Sequence, residues 1–261
     1  MTLVWKSGYS FDSDASTYIE AVETADGQAL ETGVRVAIND FVLGCKQDGI
    51  WNAIKASCIL AGARTLGGAL VPLVGTAPTN NNFVSGDYNR ETGLVGDGST
   101  KYLDSNRNSN ADPQNNQHVS IYQTHPNTLS RAMLGARNLS PLNTTQINST
   151  STRQWAIHVR NANPDQFTGD STAVPQFAGG TRNSSSSETR RNNQTNTTYS
   201  NTSLTPPSLN LFIFANNQAG TAAGFSDTAR LAFYSIGESL DLAKLDTRVS
   251  NLITSIGAAI P

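Results

Sequence analysis

Apolar residues in the first third of the chain recur at helical intervals. Tyr18, Ile19 and Val22 follow Asp14, which suits an N-cap, and Gly27 supplies the stop, so a helix is predicted there. Leu30, Val34, Ile38, Phe41 and Cys45 then step by three and four, which puts them on one stripe of a second helix. Gly49 precedes a short third helix expected around Trp51, Ile54 and Cys58. Further on the rhythm changes. Short apolar stretches near 94–103, 119–122, 133–134, 155–159, 209–214 and 231–236 alternate with clusters of Gly, Asn, Pro and Ser. In one of them Val119 and Ile121 share a face while Ser120 and Tyr122 share the other, the period of a strand. Such runs, without regular strand–helix alternation, predict a mainly β chain with helical ends. The expected fold is an antiparallel β-sandwich (jelly-roll or concanavalin-like) rather than a doubly wound sheet.

The tail returns to helix. Leu242, Leu245, Val249, Leu252 and Ile256 step by three, four, three and four, a heptad seam too short to hold a coiled coil alone in water. Two readings stand: a helix packed on its own domain, or a seam shared by three copies. The predicted division is therefore a helical docking region over 1–75, a sandwich over 76–237 and a C-terminal helix over 238–261. Inside the sandwich, the low-complexity stretch 183–203 reads either as a disordered loop or as a solvated strand pair.

Composition narrows the function classes. Of 261 residues only 15% are charged, and the net charge is −2. Asn, Ser and Thr fill the gap with about 80 residues, roughly 30% of the chain. Balanced charge argues against nucleic-acid binding driven by a basic surface. No apolar run approaches the roughly 20 residues of a membrane span, and no secretory leader is visible. Two cysteines, Cys45 and Cys58, read as buried thiols. Three scattered histidines, His118, His125 and His158, suggest no metal cluster, and no cofactor is implied.

Catalytic patterns are sparse. IGESLD at 236–241 resembles the GDSL signature of serine hydrolases, but no His follows Ser239. Ser239 and Asp241 fit better as the start of the last helix. Glycosidase chemistry needs two neighbouring carboxylates, and Glu188 stands alone in the middle region with Glu91 far upstream. GDGSTK at 96–101 lacks the spacing of a phosphate-binding loop and reads as a hairpin turn. Asn-x-Ser/Thr triplets at Asn138, Asn143, Asn148, Asn196 and Asn201 follow from the abundance of these residues.

Three segments carry a resemblance. DGIWNAIKASCILAGA at 48–63 and GLVGDGSTKYLDSN at 93–106 resemble a module of bacteriophage virion proteins, in which a short helical segment precedes a laminin-G-like sandwich. ARLAFYSIGESLDLAKLD at 229–246 is similar to the closing strand and following helix of such domains. The acidic motif of the family's glucanases is absent, and no calcium-binding pair can be matched. The resemblance implies the sandwich fold and a virion setting, with the chain made in the host bacterial cytoplasm. The resulting expectation is a non-enzymatic virion surface protein, a tail fibre or tail-associated receptor-binding protein recognising host surface glycans. The alternative is a capsid decoration (cement) protein, and the third reading a polysaccharide-degrading enzyme. Expected partners are two further copies in a homotrimer, virion proteins at the N-terminal helical region, and host surface polysaccharide. Trp155, Tyr199, Tyr122 and Phe167 are the candidate residues for stacking on sugar rings.

Overall fold

The computed structural model describes residues 11–162 and 167–261. Two large sheets face each other, and helices cover the outside of one. The first sheet runs in the order β13 (Thr195–Ser200), β12 (Ser187–Asn192), β11 (Gln176–Arg182), β6 (Gln117–His125), β17 (Arg230–Gly237), β4 (Gly93–Val95), β3 (Tyr88–Asn89). A further strand, β1 (Ile54–Ile59), shares with β4 the same long edge of β17. The second sheet runs β10 (Thr168–Asp170), β9 (Gln154–Asn161), β8 (Leu142–Ser149), β7 (Ala132–Leu139), β14 (Asn210–Ile213), β5 (Tyr102–Asn108), β2 (Thr79–Asn81). On it, β15 (Asn216–Gln218) pairs parallel with β7 and antiparallel with β16 (Thr221–Ala223). The predicted mainly β, antiparallel sandwich with helical ends is the observed architecture.

Side-chain alternation explains the layers. Val119 and Ile121 point between the sheets, where they meet Leu94, Leu134, Ile147, Trp155 and Tyr234. Tyr122 points the other way, with Phe177 and Phe233, into a second core beneath the helices. Those helices are α1 (Ser13–Asp26), α2 (Thr32–Gln47) and α4 (Leu242–Ala259), besides a single turn, α3 (Leu66–Ala69). Sheet one is thus apolar on both faces and sheet two on one. Gly27 ends α1 in the left-handed conformation, at φ 65°, as predicted. The N-cap is Asp12 rather than Asp14: its carboxylate accepts the Asp14 N–H at 2.9 Å. Asp241 caps α4 by accepting from Ala243 and Lys244, whereas Ser239 donates its hydroxyl to Asn116 instead.

Three local expectations are corrected. The helix around Trp51–Cys58 is a single 3-10 turn, Trp51–Ala53, followed by strand β1. Ile54 and Cys58 fit helical spacing, but Ile54, Ala56 and Cys58 also alternate, and pairing with β17 decides for the strand. GDGSTK is not a hairpin turn, because β4 and β5 belong to different sheets. It is a crossing between layers, wound around the Asp97 carboxylate, which accepts the N–H groups of Ser99, Thr100 and Lys101 at 2.8–3.0 Å. The proposed seam of Leu242, Leu245, Val249, Leu252 and Ile256 is no surface: these side chains are buried in the core shared with α2 and sheet one. Their stripe is consumed within the chain. The stretch 183–203 resolves as the β12–β13 strand pair, with Thr189 and Thr198 joined across it at 3.1 Å.

Candidate functional site

Strands β7, β8 and β9 lie side by side, and their outward residues build one polar surface. Register places Gly135 opposite Gln146 and Arg137 opposite Thr144, while Gln146 faces His158 on the other flank. The parallel strand β15 adds Asn216 beside Gly135 and Gln218 beside Arg137. Gly135 is required here: a Cβ would lie 1.8 Å from the Asn216 Oδ1. With the glycine in place, Asn216 reaches Gln146 and donates to its Oε1 at 3.3 Å. Arg137 donates from Nε to the Gln218 side-chain oxygen at 3.1 Å, and from Nη2 to the same atom. On this surface a cleft of about 50 Å³ is lined by Arg137, Leu142, Thr144, Gln146, His158, Asn161 and Ala162.

His158 is the telling group. It is 2% exposed, and its Nε2 meets no hydrogen-bond partner among the described residues. Its Nδ1 lies 3.5 Å from Arg190 Nη2. A guanidinium only donates, so Nδ1 must accept, and the ring proton sits on Nε2. Burial pushes the imidazole down to about 4, and Arg190 acts in the same direction. At neutral pH the cleft therefore holds an uncharged ring beside the Asn161 side chain, with no acceptor at hydrogen-bond distance and angle from its Nε2–H. An unpaired buried donor costs about 1–3 kcal/mol, which a bound acceptor would recover. Asn216 Oδ1, also buried, lacks a partner too.

Behind the cleft lies a buried ionic cluster. Glu188 accepts from Val159 N–H at 2.8 Å, Asn161 at 2.7 Å and Arg182 at 3.4 Å on one oxygen. Its other oxygen accepts from Arg190 at 2.5 and 2.8 Å and from Asn201 at 3.4 Å. The side chains of Glu188, Arg182 and Arg190 are wholly buried. Glu188 is thus a structural counter-ion that fixes Asn161 and Arg190 around His158, and it has no oxygen left for a substrate.

Of the four aromatic candidates, the structure brings two together. The Arg190 guanidinium stacks on Tyr199, 4.2 Å from the ring centre, and the Tyr199 hydroxyl donates to the Phe167 carbonyl at 3.5 Å. Phe167 is 41% exposed and Tyr199 is half-buried. Tyr199 thus lies one guanidinium away from His158, and Phe167 lies beyond Tyr199. Trp155 and Tyr122 are corrected: Trp155 is fully buried between the sheets, donating to Gln176 at 3.3 Å, and Tyr122 is buried beneath the helices. Neither can stack on a sugar. The sequence reading passed over Arg137, Thr144, Gln146, His158 and Asn161. One signal was local, the alternation of Thr144, Gln146 and Asn148 along β8.

Other chemistry is less promising. Ser235 lies 2.9 Å from His118 Nε2, an order suggestive of nucleophile and base, but both residues are wholly inaccessible. Cys45 and Cys58 are buried free thiols, each pushed up to about 12 by burial. Among the described residues no cluster of His, Cys, Asp and Glu could hold a metal ion, and no helix is long and apolar enough to cross a membrane. Two larger grooves of about 490 Å³ lie between α2 and α4 and beside Trp51, and neither is lined by a buried polar atom without a partner.

No family model matches the chain, and no curated protein does. Solved structures do match. A mutant Trypanosoma rangeli sialidase displaying trans-sialidase activity aligns with TM-score 0.53 and 11% identity, over 84% of this chain and 39% of its own. Trypanosoma rangeli sialidase in complex with 2,3-difluorosialic acid gives 0.52 and 11%, over 93% of this chain and 39% of its own. The binding domain of botulinum neurotoxin serotype D gives 0.48 and 12%, over 77% and 50%. The chain thus spans about two fifths of the length of the sialidases it matches. The expectation of a chain without enzymatic function is contradicted by the two sialidase matches, which share its fold over 84% and 93% of its length. The likeness itself is one of fold.

Proposed function

We propose that the chain is a glycan-recognising surface protein of a bacteriophage particle, of the tail-fibre or tail-associated receptor-binding kind. The observation that carries recognition is the cleft on β7–β9, where a buried His158 N–H without a partner sits among Thr, Gln, Asn and Arg side chains. Hydroxyl-rich ligands pair with such groups, and they need no single-sign field to do so. Support for the virion setting comes from the three resembling segments. In the fold these form β1, the β4–β5 crossing and β17 with the start of α4, and β1 and β4 both pair with β17. The helical layer lies on the opposite side of the sandwich from the cleft, so docking to a particle and binding a glycan use separate faces.

Binding of the purified chain to host cells, measured by fluorescence and by competition with phage adsorption, tests the proposal. The expected result is saturable binding that the isolated surface polysaccharide displaces. Absence of cell binding, together with binding to empty capsids and a raised capsid melting temperature, would replace it with the head-decoration reading. Reducing ends are followed in the same incubation, and their release would move the assignment from recognition to hydrolysis.

A further inference from the structure

The donors of the cleft specify more than a generic sugar. His158 presents Nε2–H, because Arg190 occupies the acceptor side of its ring. Gln146 has its oxygen taken by Asn216, so what it still offers is N–H. Arg137 is a full positive charge whose partner is the neutral amide of Gln218. Thr144 adds a hydroxyl, and none of the lining residues is an Asp or Glu. Four donors, one of them cationic, converge on about 50 Å³. The cleft is small and lined by side chains that mostly donate, which suits a compact acceptor such as a carboxylate. A neutral hydroxymethyl group would satisfy one or two of these donors. A carboxylate, with about four lone-pair sites, can answer them all, and its charge complements Arg137.

We propose that the cleft takes the carboxylate of a hexuronic acid residue in an acidic polysaccharide, with Arg137 and His158 as its principal donors. The sugar ring then rests outside, against the rim formed by Leu142 and Ala162. This rests on the glycan-recognition reading above and adds the ligand class to it. Arg137 supplies the charge-assisted contact, as a fork suited to a carboxylate. His158 supplies a fixed neutral donor, held in one tautomer by the cluster around Glu188.

Calorimetric titration with a hexuronate oligosaccharide and with its carboxyl-reduced, otherwise identical counterpart tests the proposal. The acid form should bind at least tenfold more tightly. Arg137→Gln should abolish that difference, lowering the affinity for the acid form by at least tenfold. Because Arg137→Gln could disturb β15, the His158 ring is read independently by ¹⁵N NMR on the unaltered protein. Its Nε2 signal should shift on adding the acid oligosaccharide and stay in place with the reduced one. Equal affinity for both forms, with an unmoved His158 signal, overturns the carboxylate assignment and leaves glycan recognition standing. Absence of binding to either form, in a chain that still binds host cells, also overturns the assignment. Absence of both oligosaccharide and cell binding overturns the recognition reading with it.

Discussion

Glu188 shows how one side chain can organise a region it does not face. Its carboxylate gathers two arginines, two asparagine amides and a backbone N–H from β9, β11, β12 and the segment after β13. Burying these charges in a dry interior is costly in itself, and the cluster is tolerable because every lone pair of Glu188 is answered. Removing the negative charge leaves Arg182 and Arg190 buried without it. Glu188→Gln is therefore expected to cost about 3–5 kcal/mol of stability, read as a lowered urea midpoint at unchanged slope. A loss below about 1 kcal/mol would show that solvent reaches the arginines. The substitution should also loosen Asn161 and Arg190, the groups that hold the His158 ring. It would thus reduce ligand affinity without touching ligand.

At the level of elements, α4 decides between a chain that packs on itself and one that packs on copies. Leu245 is fully buried, among side chains of α2 and sheet one. Leu245→Ala should therefore destabilise the chain by about 2–5 kcal/mol, with the molar mass by light scattering unchanged. A drop in mass with little loss of stability would restore the intermolecular seam. Steps of three and four residues describe one face of a helix, and they are the same whether that face meets another helix or a sheet. The position of α4 was legible for this reason, and its partner was not. The same limit applied to β1, where Ile54 and Cys58 satisfy helical spacing and Ile54, Ala56 and Cys58 satisfy strand spacing until β17 is seen beside them. Strands whose two faces differ in residue type were easier: Val119 and Ile121 against Ser120 and Tyr122 announced both the strand and its two sides. The cleft lay out of reach because Arg137 and Gln218 are 81 residues apart and meet only through the parallel pairing of β15 with β7.

For the whole molecule, two histidines in different layers couple stability to pH. His118 lies in sheet one, where its Nδ1–H donates to the Glu238 carbonyl at 2.6 Å and its Nε2 accepts from Ser235 at 2.9 Å. His158 lies in sheet two. Burial is the main cause that pushes both down to about 4, from an ordinary value of 6.5. Between those limits the unfolded chain holds the two protons and the folded chain does not. Stability must then rise with pH: it is complete above about 6.5 and is lost progressively as pH falls toward 4. Lowering the pH from 7.5 to 5.0 should cost about 2 kcal/mol per histidine, about 4 kcal/mol in all. Asp12, Glu31 and Asp48, each held low chiefly by a hydrogen bond to Lys46, Arg90 or Arg248, act in the same direction. Their loss begins only as pH falls through the ordinary carboxylate range, so the histidine window can be read separately. Urea unfolding at the two pH values measures it, and replacing both residues, His118→Gln with His158→Gln, should flatten the profile above pH 5. A wild-type profile already flat between pH 7.5 and 5.0 would mean that the rings are protonated in the folded chain. His158 would then be a cation with both nitrogens donating, and the close approach of Arg190 to its Nδ1 would be repulsive. The pH profile of the whole molecule therefore also tests the neutral Nε2–H tautomer on which the cleft depends.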